Sequence, residues 1–152
     1  MRIFFGIFLI VLCTFIGYFF SSKYVSRKDF YIAFSDFNKK LIGEVMFLSE
    51  TINSIISKEK GSIFIDNLKN VLINKKEYEK IKYLSDDENE FFKEYINVIG
   101  KNDRKTETAI LRDYEISIDK SREEAVKNAE KYKKTYIKIG FLIGLMLMIA
   151  IL

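Results

Sequence analysis

Apolar residues are concentrated in two uninterrupted runs, and a long segment of mixed character lies between them. Ile3 to Phe20 and Ile139 to Leu152 contain no charged residue. The 118 residues between these runs hold every Asp and Glu, and every Lys and Arg except Arg2. This pattern predicts a membrane hairpin, in which two terminal transmembrane helices flank a charged domain on one side of the bilayer. The predicted divisions are residues 3–20, 21–138 and 139–152.

The two runs differ in length. The first has 18 residues, near the lower limit for a hydrocarbon core about 30 Å thick. A cleaved signal peptide is the alternative, but no small-x-small cleavage site follows the run, and the bulky Leu12 before Cys13 argues against a lipoprotein site. The second run has 14 residues. It reaches about 21 Å at about 1.5 Å per residue, so spanning requires Tyr136 and Ile137 to enter the membrane while Lys138 snorkels.

Basic residues beside the runs set the predicted orientation. Lys23, Arg27 and Lys28 follow the first run, against Arg2 alone before it. Nothing basic follows the second run, whereas five lysines precede it: Lys127, Lys131, Lys133, Lys134 and Lys138. Because cytoplasmic segments carry the excess of Lys and Arg, both runs independently predict a cytoplasmic central domain with both termini across the membrane.

Helical periodicity dominates the segment between the runs, which has no proline. Apolar residues at steps of three and four predict a first helix that ends near Lys60, with Gly61 as its cap. Their stripe consists of Phe30, Phe34, Phe37, Leu41, Val45, Leu48, Ile52 and Ile55. This helix is expected to continue upstream into the first run through Ser21 and Ser22.

Three segments follow the first helix before the last one begins. Ser62 is expected to open a short helix that carries Phe64, Leu68 and Leu72 on one face. Lys75 to Leu84 is ambiguous, with one or two helical turns as one possibility. Ser85-x-x-Glu88 is a capping box, which predicts a helix that Gly100 closes.

The last helix is predicted to start at Asn102 or Asp103 and to continue into the second run, since no Gly or Pro interrupts Asp103 to Ile139. Six residues of this helix are predicted to lie near one of its faces: Ile110, Tyr114, Ala125, Ala129, Tyr132 and Tyr136. The fold class is therefore expected to be all-α, with an antiparallel helical bundle between the two transmembrane helices.

The inventory of reactive groups is poor. The chain has no histidine and a single cysteine, and no phosphate-binding glycine motif is present. Adjacent carboxylates such as Asp86 and Asp87 point to different helix faces, so they do not form a catalytic pair. The sequence therefore predicts no enzyme, no metal, no cofactor and no small-molecule substrate. The pI near 9 comes mostly from lysines beside the runs, which topology and anionic lipid explain without nucleic acid.

Small residues are spaced along one face of each run. Gly6, Cys13 and Gly17 are seven and four residues apart, and Gly140 and Gly144 form a GxxxG pair. Small residues let helix backbones approach closely in lipid, where no hydrophobic force draws helices together. Two interpretations stay open: a packed hairpin, or a docking face for another membrane protein.

The order of these features resembles one known family. The helix start at Leu84-Ser-Asp-Asp-Glu88, the turn Gly100–Asp103, the basic segment Lys131–Tyr136 and the ending from Ile139 through Gly144 follow one another. This layout is similar to stage III sporulation protein AB of endospore-forming bacteria. The chain departs from the family after Glu44, where the family's small-residue and proline pattern is missing.

The resemblance implies a role without a chemistry. It implies a non-enzymatic subunit of the channel between mother cell and forespore, placed in the mother-cell membrane around the forespore. Its cytosolic bundle would be similar to the platform domains of type II secretion machines, which engage a hexameric ATPase. The implied partners are a stage III AA-like secretion ATPase, small membrane proteins of the same complex and the lipid bilayer.

The polar turn after Gly100 is our prediction for the motor contact, through Lys101, Asp103 and Arg104. The other interpretation of these residues is a plain turn. An alternative function is a membrane-anchored scaffold or sensor that self-associates through the stripe from Phe30 to Ile55 without a motor. A membrane-embedded enzyme would need an ionisable cluster inside the runs, where only Cys13, Thr14 and Tyr18 are polar.

Overall fold

The computed structural model describes residues 2–47, 52–59 and 61–151, and every regular element in these ranges is an α-helix. The helices are α1 (Arg2–Phe47), α2 (Ile52–Lys58), α3 (Ile63–Leu72), α4 (Asp86–Val98) and α5 (Arg104–Ile151). Helix accounts for 85% of the described residues, which confirms the all-α prediction. Two compact units are present. The terminal unit comprises Met1–Lys28 with Glu124–Leu152, and the central unit comprises Asp29–Glu123.

The first and last helices are long. α1 continues from the first apolar run into the central segment, and α5 is a single helix of 48 residues, as the sequence predicts. Over Phe4–Val45, α1 is long and apolar enough to cross a membrane by length and composition. In the part of the chain that the structure describes, it is the one helix that meets this criterion.

The sequence predicts that the first helix ends near Lys60. The structure describes two helices over this stretch. α1 ends at Phe47 and α2 begins at Ile52. Residues 48–51 and Lys60 lie outside the described residues, and the predicted continuity through Leu48 lies outside them too. Gly61 has a positive φ of 91°, which glycine adopts readily, but it lies three residues beyond Lys58, where α2 ends, so its capping role stays a prediction.

Capping side chains set the starts of α3 and α4. The Ser62 hydroxyl accepts a hydrogen bond from the Ile65 backbone N–H at 3.2 Å, as an N-cap residue does. Ser85 and Glu88 form the predicted capping box, with Ser85 Oγ accepting from Glu88 N–H and Glu88 accepting from Ser85 N–H. Gly100 follows the end of α4 with φ of 80°. The predicted capping box at the start of α4 and the predicted glycine at its end are therefore both confirmed.

The segment that the sequence left ambiguous, Lys75 to Leu84, contains no helix. The buried side chain of Asn89 on α4 holds it in place. Asn89 Oδ1 accepts hydrogen bonds from the Ile81 N–H (2.8 Å) and the Tyr78 hydroxyl (2.7 Å). Its amide group donates to backbone carbonyls at Ile81, Leu84 and Ser85. These bonds satisfy the loop backbone without a helix or a strand.

Aromatic rings form the core of the central unit. Phe34 is fully buried, and its ring stacks on that of Phe64 with centroids 4.8 Å apart. The Tyr95 ring packs edge-on against Phe34, with centroids 4.7 Å apart. Phe30 and Phe92 pack edge-to-face at 5.1 Å. The predicted Phe stripe of the first helix therefore lies in the chain's own core.

Two hydrogen-bonded positions join α1 to α5 within the central unit. The Asn38 amide donates to the Leu111 carbonyl at 3.0 Å, and its oxygen accepts from the Tyr95 hydroxyl at 3.1 Å. One turn earlier on α1, the Ser35 hydroxyl donates to Asp119 at 2.6 Å. Since the position earlier on α1 meets the later one on α5, the two helices run antiparallel, as the sequence predicts.

In the central unit, the face of α5 predicted from the sequence coincides only in part with the buried one, since Tyr114 packs on Phe91 and Tyr95 with ring centroids 5.3 Å and 5.2 Å apart. Leu111 and Ile118 are fully buried there, whereas Ile110 and Tyr114 are half-buried. In the terminal unit Ala125 and Ala129 are buried. Leu111 and Ile118 are seven residues, or about two helical turns, apart, so they lie on one face of α5 within the central unit.

We predict that Tyr83→Phe leaves stability unchanged at neutral pH or raises it. The Tyr83 hydroxyl is buried and has no hydrogen-bond partner among the described residues, so removing it relieves an unsatisfied polar group. Burial, with Asp29 nearby, raises the pKa of Tyr83 to about 12 from 10.0. Stability due to this raised pKa is fully present below pH 10.0 and is lost as pH rises through about 12.

Urea unfolding at pH 7 and pH 11, in detergent and followed by circular dichroism, measures both effects. The variant should match or exceed the wild type by up to about 1 kcal/mol at pH 7 and should lose less stability at pH 11. A loss above about 1 kcal/mol at pH 7 would show that the hydroxyl does stabilise the fold.

Candidate functional site

The small residues of the two apolar runs meet in the terminal unit. A Cβ added at Gly140 would lie 2.5 Å from the Cys13 carbonyl oxygen, and one at Gly17 would lie 2.4 Å from the Tyr136 carbonyl oxygen. Both neighbours are backbone atoms, which cannot rotate away. The contact therefore requires glycine at these two positions, and it is the close backbone approach that small residues permit.

The same contact continues toward the other end of the two runs. A Cβ at Gly144 would lie 2.6 Å from Ile10 Cα, and one at Gly6 would lie 2.7 Å from Met148 Cγ. The glycines of one helix thus face the other helix of the same chain in antiparallel register. The structure brings all five predicted packing residues, Cys13 included, to one seam, and their role in a bilayer stays a prediction.

The outward faces of these helices carry large apolar side chains. Phe4 is 80% exposed and Phe15 69% on α1, while Met146 and Ile149 on α5 are each 73% exposed. The polar groups of this part of α1 bond to their own helix: the Thr14 hydroxyl donates to the Ile10 carbonyl at 2.8 Å. A terminal unit with small residues inside and large apolar residues outside has the pattern expected of helices in lipid.

The turn between α4 and α5 belongs to the central unit and holds the predicted motor contact. Lys101, Asp103 and Arg104 are all exposed there. The turn is fixed from below, because the buried carboxylate of Glu107 accepts hydrogen bonds from Gly100 N–H at 2.8 Å and from the Asn102 amide at 3.3 Å. Exposed charges on a fixed turn suit a contact with another protein.

Asp103 also has a structural role, and the sequence predicted only that Asn102 or Asp103 starts the last helix. Its carboxylate accepts hydrogen bonds from the Thr106 hydroxyl at 2.6 Å and from the Thr106 N–H at 3.3 Å, which makes it the N-cap of α5. These hydrogen bonds, the side-chain one first, lower the pKa of Asp103. Asp103 therefore caps α5 in addition to its place in the predicted contact.

Sequence reasoning missed the surface that continues from Arg104 along α5. An open depression of about 700 Å³ lies beside it, lined by Arg104, Lys105, Thr108, Ala109, Arg112 and Asp113. The helical step of four from Arg104 to Thr108 and Arg112 was the signal that could have identified this face. It extends the candidate contact beyond the turn by two helical turns.

The described residues contain no group of three or more His, Cys, Asp or Glu side chains that could hold a metal ion. What they define is an all-helical protein whose long first helix is apolar enough to cross a membrane. The family model for stage III sporulation protein AB matches residues 34–152, and the chain belongs to this family. The predicted resemblance is thereby confirmed, and membership assigns a role in stage III of sporulation. No curated protein and no solved structure matches the chain.

Proposed function

We propose that the chain is a non-enzymatic membrane platform subunit of the sporulation channel that docks a secretion-type ATPase during endospore formation. The observation that carries the proposal is the family match over residues 34–152, which includes most of the central helical unit and the second apolar run. The proposed central bundle is the counterpart of type II secretion platform domains. It has no catalytic role in this proposal.

The proposal that α1 enters a membrane rests on the exposure of its apolar side chains. The most apolar window of α1 has a mean hydropathy of 2.3 but is only 17% buried. A core helix of a soluble protein would instead be mostly buried. Exposed apolar surface on this scale needs a partner, and the hydrocarbon of a bilayer is the one we propose.

The second span is proposed for the end of α5. Its apolar run packs against α1 within the terminal unit through Gly140 and Gly144 and presents Phe141 and Met146 outward. Lysines before this run and basic residues after the first favour a cytoplasmic central unit. We therefore propose two spans at residues 3–20 and 139–152, in the mother-cell membrane around the forespore.

The proposed main partner is the stage III AA-like ATPase, and small membrane proteins of the same complex are further proposed partners. For the ATPase contact we propose the exposed turn at Lys101 and Arg104 with the adjoining face of α5. The turn is fixed by buried Glu107, so its charges are held in place before binding, which lowers the entropic cost of association.

Charge reversal tests this contact. We expect Lys101→Glu with Arg104→Glu to weaken ATPase binding by about tenfold, since each charge in such a contact contributes on the order of 0.5–1 kcal/mol. Asp103 is left in place because replacing an N-cap with alanine costs about 1 kcal/mol of helix stability. Binding would be measured by co-elution and calorimetry with the full-length chain in detergent.

The matched control reverses two exposed lysines elsewhere in the central unit, Lys76→Glu with Lys82→Glu. This control changes the net charge by the same amount but leaves the turn intact, so it should bind as the wild type does. Equal affinity of both variants and the wild type would remove the turn from the contact.

The alternative of a self-associating scaffold or sensor loses its predicted interface. It requires the stripe from Phe30 to Ile55 to face a second copy, but Phe30, Phe34 and Leu41 are buried in the chain's own core. Sedimentation of the full-length chain in detergent separates the two proposals. A monomer is expected for the platform, and a stable oligomer would favour the scaffold.

A further inference from the structure

Basic side chains are clustered in the terminal unit, beside the two apolar runs. Residues 21–28 and 124–138 contain eight basic side chains and two acidic ones, Glu124 and Glu130, for a net charge of +6. We call the eight the basic collar: Lys23, Arg27, Lys28, Lys127, Lys131, Lys133, Lys134 and Lys138. Glu124 is already engaged by Arg27 at 3.5 Å and by the Asn128 amide at 3.3 Å. Arg27 and Glu124 therefore neutralise each other, and seven lysines of the collar remain against one further carboxylate, Glu130.

Three tyrosines join the two helices at the level of the collar. The rings of Tyr24 and Tyr132 stack with centroids 4.4 Å apart, and Tyr136 lies 6.1 Å from Tyr24 and 6.3 Å from Tyr132. Such a cluster of rings, with polar hydroxyls on apolar bodies, is typical of the boundary between hydrocarbon and head groups.

The rings also hold lysine amines in place. Lys23 Nζ lies 5.0 Å from the Tyr24 ring centroid, Lys131 Nζ lies 5.7 Å from the Tyr132 ring centroid and Lys133 Nζ lies 6.0 Å from the Tyr18 ring centroid. Cation–π attraction at these distances orders the amines along the helix surface. Since the three lysines are exposed, the ordered amines remain accessible to an anion.

The distance from the apolar runs indicates what the collar meets. Lys138 directly precedes the second run, Lys133 precedes it by six residues, and Lys23 follows the first run by three. At about 1.5 Å per residue these positions lie within about 9 Å of the apolar boundary. Head groups occupy roughly 5–7 Å on each side of the hydrocarbon core. Lys138 and Lys23 therefore lie at head-group depth beside the proposed spans, and the long side chain of Lys133 can reach it.

We infer that the basic collar binds the phosphodiester head groups of anionic phospholipids and selects these lipids over neutral ones around the terminal unit. This inference rests on the proposed membrane hairpin. Juxtamembrane basic residues attract anionic lipid by about 1 kcal/mol each near the surface. The tyrosine cluster adds a fixed geometry to this attraction, because it holds the amines of both helices at one level.

Electron spin resonance of spin-labelled lipids tests the inference. The full-length chain is reconstituted into phosphatidylcholine vesicles that contain a trace of spin-labelled phosphatidylglycerol or spin-labelled phosphatidylcholine, and the immobilised fraction of each label is measured. For the wild type we expect phosphatidylglycerol to associate about three- to fivefold more strongly than phosphatidylcholine. The preference should fall toward one in about 1 M salt, where the Debye length is about 3 Å.

Paired variants locate the effect. Lys133→Gln, Lys134→Gln and Lys138→Gln together should lower the preference at least twofold. The control, Lys76→Gln with Lys82→Gln and Lys93→Gln, removes the same charge from exposed positions of the central unit and should leave the preference unchanged. An equal fall in both triple variants would show a general charge effect and would overturn the collar as the site.

The remaining outcomes separate the inference from the proposed function. Equal immobilisation of the two labels by the wild type would overturn the inference while leaving the membrane hairpin intact. If neither label were immobilised, the chain would not contact lipid chains, and the hairpin proposal would fall together with the inference.

Discussion

Gly140→Leu is expected to drive apart the two apolar helices of the terminal unit. A side chain at this position would meet the Cys13 carbonyl oxygen at 2.5 Å and Thr14 Cα at 3.2 Å. Neither neighbour is a side chain that can rotate, so the helix axes must separate toward the spacing of about 8–10 Å that larger residues require. Overpacking of this kind costs about 1–3 kcal/mol.

Distance measurement between spin labels checks this prediction. Labels at Phe8→Cys and Met146→Cys, in a Cys13→Ser background, lie on exposed positions of α1 and α5. The variant should show a longer and broader distance distribution and a lower thermal midpoint than its parent. Gly43→Leu is the matched control, because a Cβ at Gly43 meets nothing within 4 Å. An unchanged distribution for Gly140→Leu would mean that the close contact is not present in the membrane.

Phe34→Ala is expected to destabilise the central unit by about 3–5 kcal/mol, the usual cost of removing a large buried aromatic side chain. Phe34 is 0% exposed, with its ring stacked on Phe64 at 4.8 Å and edge-on to Tyr95 at 4.7 Å. The α1, α3 and α4 helices each supply one of these rings. The loss would be a large part of a typical stability of about 5–15 kcal/mol.

Urea unfolding of the full-length chain, followed by circular dichroism, measures this loss. Ile116→Ala serves as the control, because Ile116 is 74% exposed and its truncation should change stability by less than about 0.5 kcal/mol. Similar midpoints for Phe34→Ala and the control would mean that the aromatic cluster relaxes around the cavity and does not hold the three helices together.

Local signals in the sequence predicted much of the fold. Ser62, the Ser85 capping box and Gly100 each act within one helical turn, so each could be identified without tertiary structure. The continuity of α5 followed from the absence of Gly and Pro between the turn and the apolar end. Such features depend on propensity and capping, which neighbouring residues determine.

Features set by tertiary contacts were harder to predict. The loop from Lys75 to Leu84 depends on Asn89, whose hydrogen bonds reach up to eleven residues back along the chain. The burial of Leu111 and Ile118 on α5 depends on what packs against this helix, since the neighbouring Ile110 is equally apolar but only half-buried. In both cases the information lies in a contact between elements and not in one segment's own pattern.

The candidate sites show the same division. The spacing of Gly6, Cys13 and Gly17 predicted a small-residue face, yet only the structure shows which helix covers it. The polar composition of the turn identified Lys101 and Arg104, while the capping role of Asp103 and the buried Glu107 became visible through their hydrogen bonds. Composition identifies exposed charge, but it does not show which of the charged side chains caps a helix.

Titration of the stage III AA-like ATPase from the same genome into the full-length chain in detergent tests the central proposal most directly. Calorimetry gives affinity and stoichiometry together. The platform function predicts saturable binding that Lys101→Glu with Arg104→Glu weakens by about tenfold. Absence of any heat or co-elution, with both proteins shown to be folded, would contradict it.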